Sequence, residues 1–567
     1  MKLFFRQHHR LLFYATWIML GLIQSGLTEL QDDEAYYWVY SKYLDIGYFD
    51  HPPMIALLIK AGYAIFPNEL GVRLFPLLLN VFSLVIIEKL LSRKNDLLFY
   101  SIALSIAVLQ LVGFIAVPDI PLIFFTALFF LCYKKFADKQ SLANSILLAV
   151  SIALLFYTKY HAVLIVFFTL LSNIRLFTKP QLYLSGVIAL LLFVPHLFWQ
   201  WQHNWISFRY HLFESNVNAY KFSYTTDYLA GQVLIAGPIA GCILLLAAFL
   251  YKTKTTTEKA LKWTMAGIYV FFLLSSFRGK VEANWTSPAL VPLIVLSHQY
   301  LNEKLSWQKW LLRLLPLSLL LVMCMRVFMI IDMLPVNAMQ KRYHAWKEWP
   351  QQMKQLTKGL PVVFSNSYQR ASKYWFYSGQ MTYSQNDVRE HRNNYNFWPI
   401  EDELIGKPVY FLDIYRLNRF KDSLKTPIGY VGYRYDSVCN SFAKIKFIPD
   451  QKQYSVKSGT NFTLTGKSLT SLHYISYLRK HKSINAGIKL FIFKRGEVVN
   501  EITLPLTLND NMQKDLILPR MKEIPLNYFS ISVNPGLPAG NYHFLFSIEV
   551  PGCNATHNSE KIGLIVQ

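Results

Sequence analysis

Asp32-Asp33-Glu34-Ala35-Tyr36-Tyr37-Trp38 follows directly on an apolar stretch over residues 11–30. The loop it opens closes on Asp50-His51-Pro52-Pro53, ahead of the next long apolar stretch at 69–91. Acids beside a membrane exit are costly unless they are paired or used, so ionisable groups there mark a functional site by default. The competing reading is a hydrated loop whose acids cap the helix that follows. Which reading holds depends on the chain around the motif.

That chain is strongly apolar. Of its 567 residues 53% are hydrophobic and 16% aromatic, and the mean hydropathy is +0.24. Such a composition is too apolar for a soluble protein of this length, and the chain is too long for one domain. A polytopic membrane protein with a soluble appendage fits both numbers. Lys and Arg outnumber Asp and Glu by 57 to 34, a net charge of +23. That excess suits an anionic membrane surface or an anionic lipid substrate. Nucleic acid is disfavoured, because the basic residues sit in short loops and form no contiguous stripe.

Apolar stretches near 11–30, 69–91, 97–117, 120–136, 141–157, 160–174, 181–198, 228–251, 261–277, 286–301 and 310–334 each read as a crossing helix, about eleven spans. Several are short for a hydrocarbon core of roughly 30 Å. Alternate loops hold the positive charge: Lys2, Arg6 and Arg10; Arg93 and Lys94; Lys134, Lys135 and Lys139; Arg175 and Lys179; Lys252, Lys254 and Lys259; Lys304 and Lys309. The positive-inside rule places these in the cytoplasm, with the amino terminus inside and, for an odd span count, the carboxyl terminus outside. The first span has no small-residue cleavage site after it and reads as a retained signal anchor. Neither internal repeats nor broken mid-membrane helices are legible, which weighs against a secondary transporter.

The opposite face then collects residues 31–68, Pro118-Asp119-Ile120-Pro121, Tyr157-Thr158-Lys159-Tyr160-His161, the aromatic loop 199–227, and Arg278-Gly279-Lys280-Val281-Glu282-Ala283-Asn284-Trp285. Acids, bases and aromatics from separate loops should converge there. Tyr36, Tyr37, Tyr40 and Tyr43 recur at helical spacing, which predicts an amphipathic helix lying in the interface.

Three domains are expected: a transmembrane domain over 1–334, an extracytoplasmic α/β region over 335–450, and a β-sandwich over 451–567. In the α/β region, Leu360-Pro361-Val362-Val363-Phe364 leads into a helical-looking Tyr368 to Tyr377. Alternating stretches such as Ile488 to Phe493 and Tyr542 to Phe546, set off by Asn534-Pro535-Gly536 and Pro538-Ala539-Gly540-Asn541, predict the antiparallel sandwich. Cys132, Cys242 and Cys324 fall inside spans; Cys439 and Cys553 fall in the outward region, where an oxidising compartment could join them as a disulfide. No cysteine pair has zinc-ligand spacing.

The ordered set of the Asp32–Trp38 motif, Phe49-Asp50-His51-Pro52-Pro53 with Gly71-Val72-Arg73-Leu74 after it, Asp119 between prolines, the Arg278–Trp285 segment and Ser367-Tyr368-Gln369-Arg370-Ala371-Ser372-Lys373-Tyr374-Trp375 resembles the PMT-type GT-C glycosyltransferases. That superfamily includes the protein O-mannosyltransferases and the lipid A aminoarabinose transferase. The resemblance spans roughly residues 1–400 and implies a polytopic helical GT-C fold. It also implies transfer of a sugar from a polyprenyl-phosphate-linked donor to a lipid, glycan or protein acceptor on the outer face of a cell inner membrane. By resemblance Asp33, with Glu34 beside it, acts near the acceptor nucleophile, and Asp119 is the second external acid. This chain departs from the aminoarabinose transferase pattern in carrying His51 where a lysine precedes the paired prolines.

The chemistry of such a transfer needs the same residue types. A glycosyl phosphate already has a good leaving group, so the protein must deprotonate an acceptor hydroxyl, align it behind the anomeric carbon and neutralise the departing phosphate. Asp33 is the expected general base. Arg73, Arg278, Lys280 and His51 are the expected phosphate-binding residues, since an arginine presents a planar fork to two oxygens. Glu282 and Asn284 sit where an acceptor or a metal could be met; a divalent metal stays open as a cofactor. The alternatives are another polyprenyl-carrier glycan enzyme, a ligase or polymerase, and less favoured a secondary transporter.

Overall fold

The computed structural model describes residues 2–215, 219–333, 336–481, 484–506, 508 and 524–567, with the side chains of 2–6 and 524 outside the description. Lys2 and Arg6, the end of the 310–334 stretch, part of the 199–227 loop and residues 509–523 of the expected sandwich therefore lie outside the described residues or side chains. The chain divides into two compact units, Met1–His344 and Ala345–Gln567.

All eleven apolar stretches are helical. The first is Lys2–Leu27, and Glu69–Leu90, Asp119–Asp138, Pro180–Gln202 and Leu305–Ile330 are the other long ones. By length and apolarity five helices of the described residues can cross a membrane, or six if a bent pair counts as one span. Asp96–Ser105, Leu142–Phe156 and Ala162–Leu171 are apolar but shorter, so the count of about eleven rests on helices that do not reach across alone; Met54–Ile65 is a further short apolar helix, within the stretch read as an outward loop.

Two stretches read as single helices are broken. Residues 97–117 divide into Asp96–Ser105 and Ala107–Leu111, with extended backbone at Ile106. Residues 228–251 form Phe222–Ala236 and Gly241–Leu250, bent by 92°. The break sits at Gly237, whose φ is +139° and whose place a Cβ would fill only by meeting the Ser105 carbonyl at 2.7 Å; Pro238 then prevents the helix from continuing. The expectation of unbroken helices is corrected here, because glycine and proline overrode an uninterrupted apolar run.

Asp119–Asp138 is the most enclosed long helix, with 67% of its best window buried. It packs against Glu69–Leu90 and Leu142–Phe156 through Leu122, Ile123, Ala127, Phe129 and Phe130. The helices Met54–Ile65 and Glu69–Leu90 meet at Gly62 and Gly71, where a Cβ on Gly71 would lie 1.8 Å from the Phe66 carbonyl oxygen and 2.7 Å from that of Gly62. This close approach fixes the helix that carries Arg73. By contrast Leu11, Leu191 and Leu320 are exposed on the outer long helices, as side chains facing lipid must be.

The motif that opens the sequence forms the helix Asp32–Lys42, its three acids in the first turn, where they complement the helix dipole, and Lys42 in the last. Every residue from Glu34 to Ser41 is buried. An amphipathic interfacial helix would keep one wet face, so that expectation is corrected: neighbouring elements wrap this helix on all sides. Tyr43 is already past its end.

In the second unit the strands are β1 (Val362–Ser365), β2 (Thr382–Gln385), β3 (Val409–Asp413), β4 (Asp422–Thr426) and β5 (Gly429–Asp436), ordered β2-β1-β3-β5-β4. β1 pairs parallel with β2 and β3, and the rest are antiparallel. The helix Tyr368–Ser378 is the crossover from β1 to β2, started by the Ser367 side chain and stopped at Gly379, φ +67°. Eight further strands follow: β6 (Lys446–Pro449), β7 (Gln453–Val456), β8 (Phe462–Thr470), β9 (Gly487–Lys494), β10 (Glu497–Thr503), β11 (Ile524–Val533), β12 (Gly540–Glu549) and β13 (Ile562–Val566). They form the sheets β10-β9-β12-β13-β7 and β11-β8-β6, whose inward residues, among them Phe447, Leu464, Ile492, Phe529 and Phe546, share one core. One pairing departs from the antiparallel pattern, β13 with β7. Cys439 and Cys553 carry free, buried thiols, so the disulfide is corrected to a pair of thiols.

Candidate functional site

The first unit encloses a cavity of about 1090 Å³. Its walls include Asp33 and Tyr37 from the first loop, His51, Asp119, Lys159 and His161 from the short turns, and Arg278, Glu282, Asn284 and Ser287 from the last loop. The separate loops singled out in the sequence thus meet around one space.

Glu34 and Asp33 are neighbours with opposite surroundings. Glu34 is fully buried; its Oε2 accepts the Gln31 backbone N–H at 2.9 Å and its Oε1 accepts that of Ala116 at 2.9 Å. Arg73 donates Nε to Glu34 Oε1 at 2.7 Å and Nη2 to Oε2 at 2.6 Å. The same guanidinium donates to the carbonyls of Ser25, Thr28 and Glu29 and to the Thr28 hydroxyl. All five of its N–H groups are used inside the fold. Arg73 is therefore corrected from phosphate binding to a brace, and Glu34 from catalysis to its counter-ion. Asp33, one residue earlier, is exposed and on the cavity wall. A helical turn of about 100° per residue separates the two carboxylates.

Asp119 starts its helix and is 6% exposed. Oδ1 accepts from Lys159 Nζ at 3.0 Å and from Ser287 Oγ at 2.8 Å, and Oδ2 accepts from Asn284 Nδ2 at 3.0 Å. Three loops are tied together by this carboxylate. Asn284 is thereby committed to Asp119, and Glu282 is half-exposed and paired with Lys280 at 2.8 Å. That pairing raises the Lys280 pKa, the hydrogen bond that Lys280 donates to Glu282 being the main cause. Lys280 points its charge at Glu282, whereas Arg278 is exposed and lines the cavity.

His51 also lines the cavity, beside Tyr37 at 5.7 Å between ring centroids. Desolvation holds its pKa well below the ordinary histidine value, and the nearby Lys159 ammonium lowers it further. His161 lies between Phe272 and Trp285. A neutral imidazole binds an anion weakly, so this environment does not favour His51 as a phosphate-binding cation. Among the described residues no three His, Cys, Asp or Glu side chains gather as metal ligands. The oxygens of Asp119 are already engaged with Lys159, Ser287 and Asn284.

The sequence reading quoted Lys159 only within the Tyr157–His161 turn, with no role of its own, and did not single out Ser287. The available signal was a lysine placed immediately beyond an apolar run, where a charge must find a partner or a use. Asp50, in the quoted Asp-His-Pro-Pro loop, accepts from the hydroxyls of Tyr36 and Tyr40 at 2.9 and 3.0 Å and so fastens that loop to the buried helix.

Residues 50–199 match the family described as dolichyl-phosphate-mannose-protein mannosyltransferase. The chain is 25% identical over 315 residues to the lipid A galacturonosyltransferase RgtD of Rhizobium johnstonii, a match covering 51% of this chain and 64% of that protein, slightly under two thirds of its length. The fold is similar to that of ArnT from Cupriavidus metallidurans in the apo state, with a TM-score of 0.57 and 12% identity over 76% of this chain and 98% of that one. Against ArnT bound to undecaprenyl phosphate the TM-score is 0.54, with 13% identity over 75% and 97%.

Proposed function

We propose that this chain, whose fold is that of the PMT-type GT-C glycosyltransferases, is an integral membrane enzyme moving a sugar from a polyprenyl-phosphate-linked donor to an acceptor on the extracytoplasmic face. The observation that carries the proposal is the single cavity onto which Asp33, Asp119 with Lys159, and Arg278 converge from loops at the ends of apolar helices. The likeness to a lipid A galacturonosyltransferase and to a structure holding undecaprenyl phosphate supports a lipid acceptor and a long polyprenyl carrier.

In this reading Asp33 takes the proton of the acceptor hydroxyl, a contribution of about 100- to 10,000-fold for a positioned base. The acceptor oxygen bonds to the anomeric carbon as the bond from that carbon to the phosphate oxygen breaks, its electron pair leaving on the phosphate. Arg278 at the wall is placed to meet the growing charge. The exposed apolar side chains of the outer helices meet membrane lipid. The basic loops support a reading with the amino terminus in the cytoplasm and the second unit in the periplasm of a bacterial inner membrane.

A deletion strain tests this by mass spectrometry of lipid A, surface glycan and secreted proteins. Loss of one sugar from one pool, restored by the parent gene and not by Asp33→Asn, is the expected result. Three unchanged pools would sink the proposal.

A further inference from the structure

The basic side chains in and behind the cavity differ in how they use their donors. Arg73 spends every N–H on Glu34 and on backbone and hydroxyl oxygens. Arg278 is exposed, and Arg342, also exposed, donates to Gln31 Oε1 at 2.6 Å. Lys159 is 5% exposed yet stands on the cavity wall. Among the described residues its Nζ makes one hydrogen bond, to Asp119, so two of the three ammonium N–H groups have no protein acceptor.

A buried ammonium with unused donors is expensive unless an anion meets it. The pair with Asp119 does not close on itself, because Asp119 divides its oxygens among Lys159, Ser287 and Asn284. Of the other basic side chains on the wall, Arg278 and Arg342 are exposed, and desolvation and Lys159 itself lower the pKa of His51. The cavity wall thus carries a buried, fixed positive charge with donors to spare, held in place by a carboxylate that is itself tied to the Ala283–Ala289 segment.

We infer that Lys159 is the residue that binds a phosphate oxygen of the polyprenyl-phosphate carrier, with Asp119 as its positioning residue. The inference rests on the proposed glycosyl transfer and deepens it. Charge-assisted hydrogen bonds of this kind are worth about 10- to 100-fold in affinity.

The test is binding of undecaprenyl phosphate, undecaprenol and inorganic phosphate to the purified full chain in detergent, read by tryptophan fluorescence. The parent should bind undecaprenyl phosphate more tightly than undecaprenol. Lys159→Met should weaken undecaprenyl phosphate by about 10- to 100-fold and leave undecaprenol unchanged, while Lys159→Arg keeps most of the phosphate preference. Because Lys159→Met leaves Asp119 buried without its counter-ion, the double variant Asp119→Asn with Lys159→Met removes both charges together; it should stay monodisperse and show the same loss. If either folded variant prefers the phosphate as the parent does, the inference fails and glycosyl transfer stands. A parent that binds inorganic phosphate as tightly as the lipid overturns the carrier assignment, and a parent blind to undecaprenyl phosphate overturns the inference together with the proposed function.

Discussion

Arg73 and Glu34, 39 residues apart in the chain, form a two-pronged buried ion pair at 2.6 and 2.7 Å. It clamps the Asp32–Lys42 helix to the Glu69–Leu90 helix, and the Ala116 amide on Glu34 draws in the turn before Asp119. One brace therefore sets the positions of both acids on the cavity wall, Asp33 by adjacency in sequence and Asp119 through the backbone between Ala116 and the helix start.

Arg73→Ala leaves a fully buried carboxylate without its counter-ion and should cost about 3 to 5 kcal/mol, with Arg73→Lys failing to restore the fork. Thermal unfolding in detergent reads the loss. A variant as stable as the parent but inactive would return Arg73 to the substrate.

Asp33→Asn keeps the shape of an exposed side chain while removing the base. Transfer should fall at least 100-fold with the unfolding temperature unchanged. Activity above about a tenth of the parent would remove Asp33 from the chemistry.

Asp119→Asn should also be strongly impaired, because the neutral amide cannot balance Lys159 and cannot accept from Lys159, Ser287 and Asn284 in the same arrangement. Turnover at the parent rate would reduce Asp119 to a helix-start residue.

Topology can be checked in a cysteine-free background. A cysteine at Lys135, in a basic loop, should resist an impermeant thiol reagent in intact cells, and one at Glu403 should react; both positions are exposed. The reverse pattern would put the acids in the cytoplasm and remove the basis for a polyprenyl-linked donor on the outer face.

Cys439 and Cys553 should behave as buried thiols. Desolvation raises both, Cys553 to about 11. At pH 8 about one Cys553 thiol in a thousand is then the reactive thiolate, against about one in four for a free thiol of pKa about 8.5. Alkylation should be very slow in the folded protein and complete for both after unfolding without reductant. If both resist after unfolding until a reductant is added, they are bonded.

The sequence alone determined the helical membrane class and where the eleven apolar stretches lie, though not the breaks in two of them or the Met54–Ile65 helix, because a long apolar run has no other way to satisfy its backbone in lipid. It also determined the loops that meet at the cavity, since alternating basic loops sort the remainder to one face, and the run at Leu360–Phe364 followed by the helix over Tyr368–Tyr377. It did not determine whether neighbouring charges act or brace. Asp33 and Glu34 are alike in composition and adjacent in sequence, and only the approach of Arg73, made close by Gly62 and Gly71, turns one into a buried counter-ion and leaves the other at the cavity. His51 and Lys159 were separated in the same way, by desolvation and by which donors found acceptors. Both depend on the whole surrounding fold, and no local pattern of residues records them.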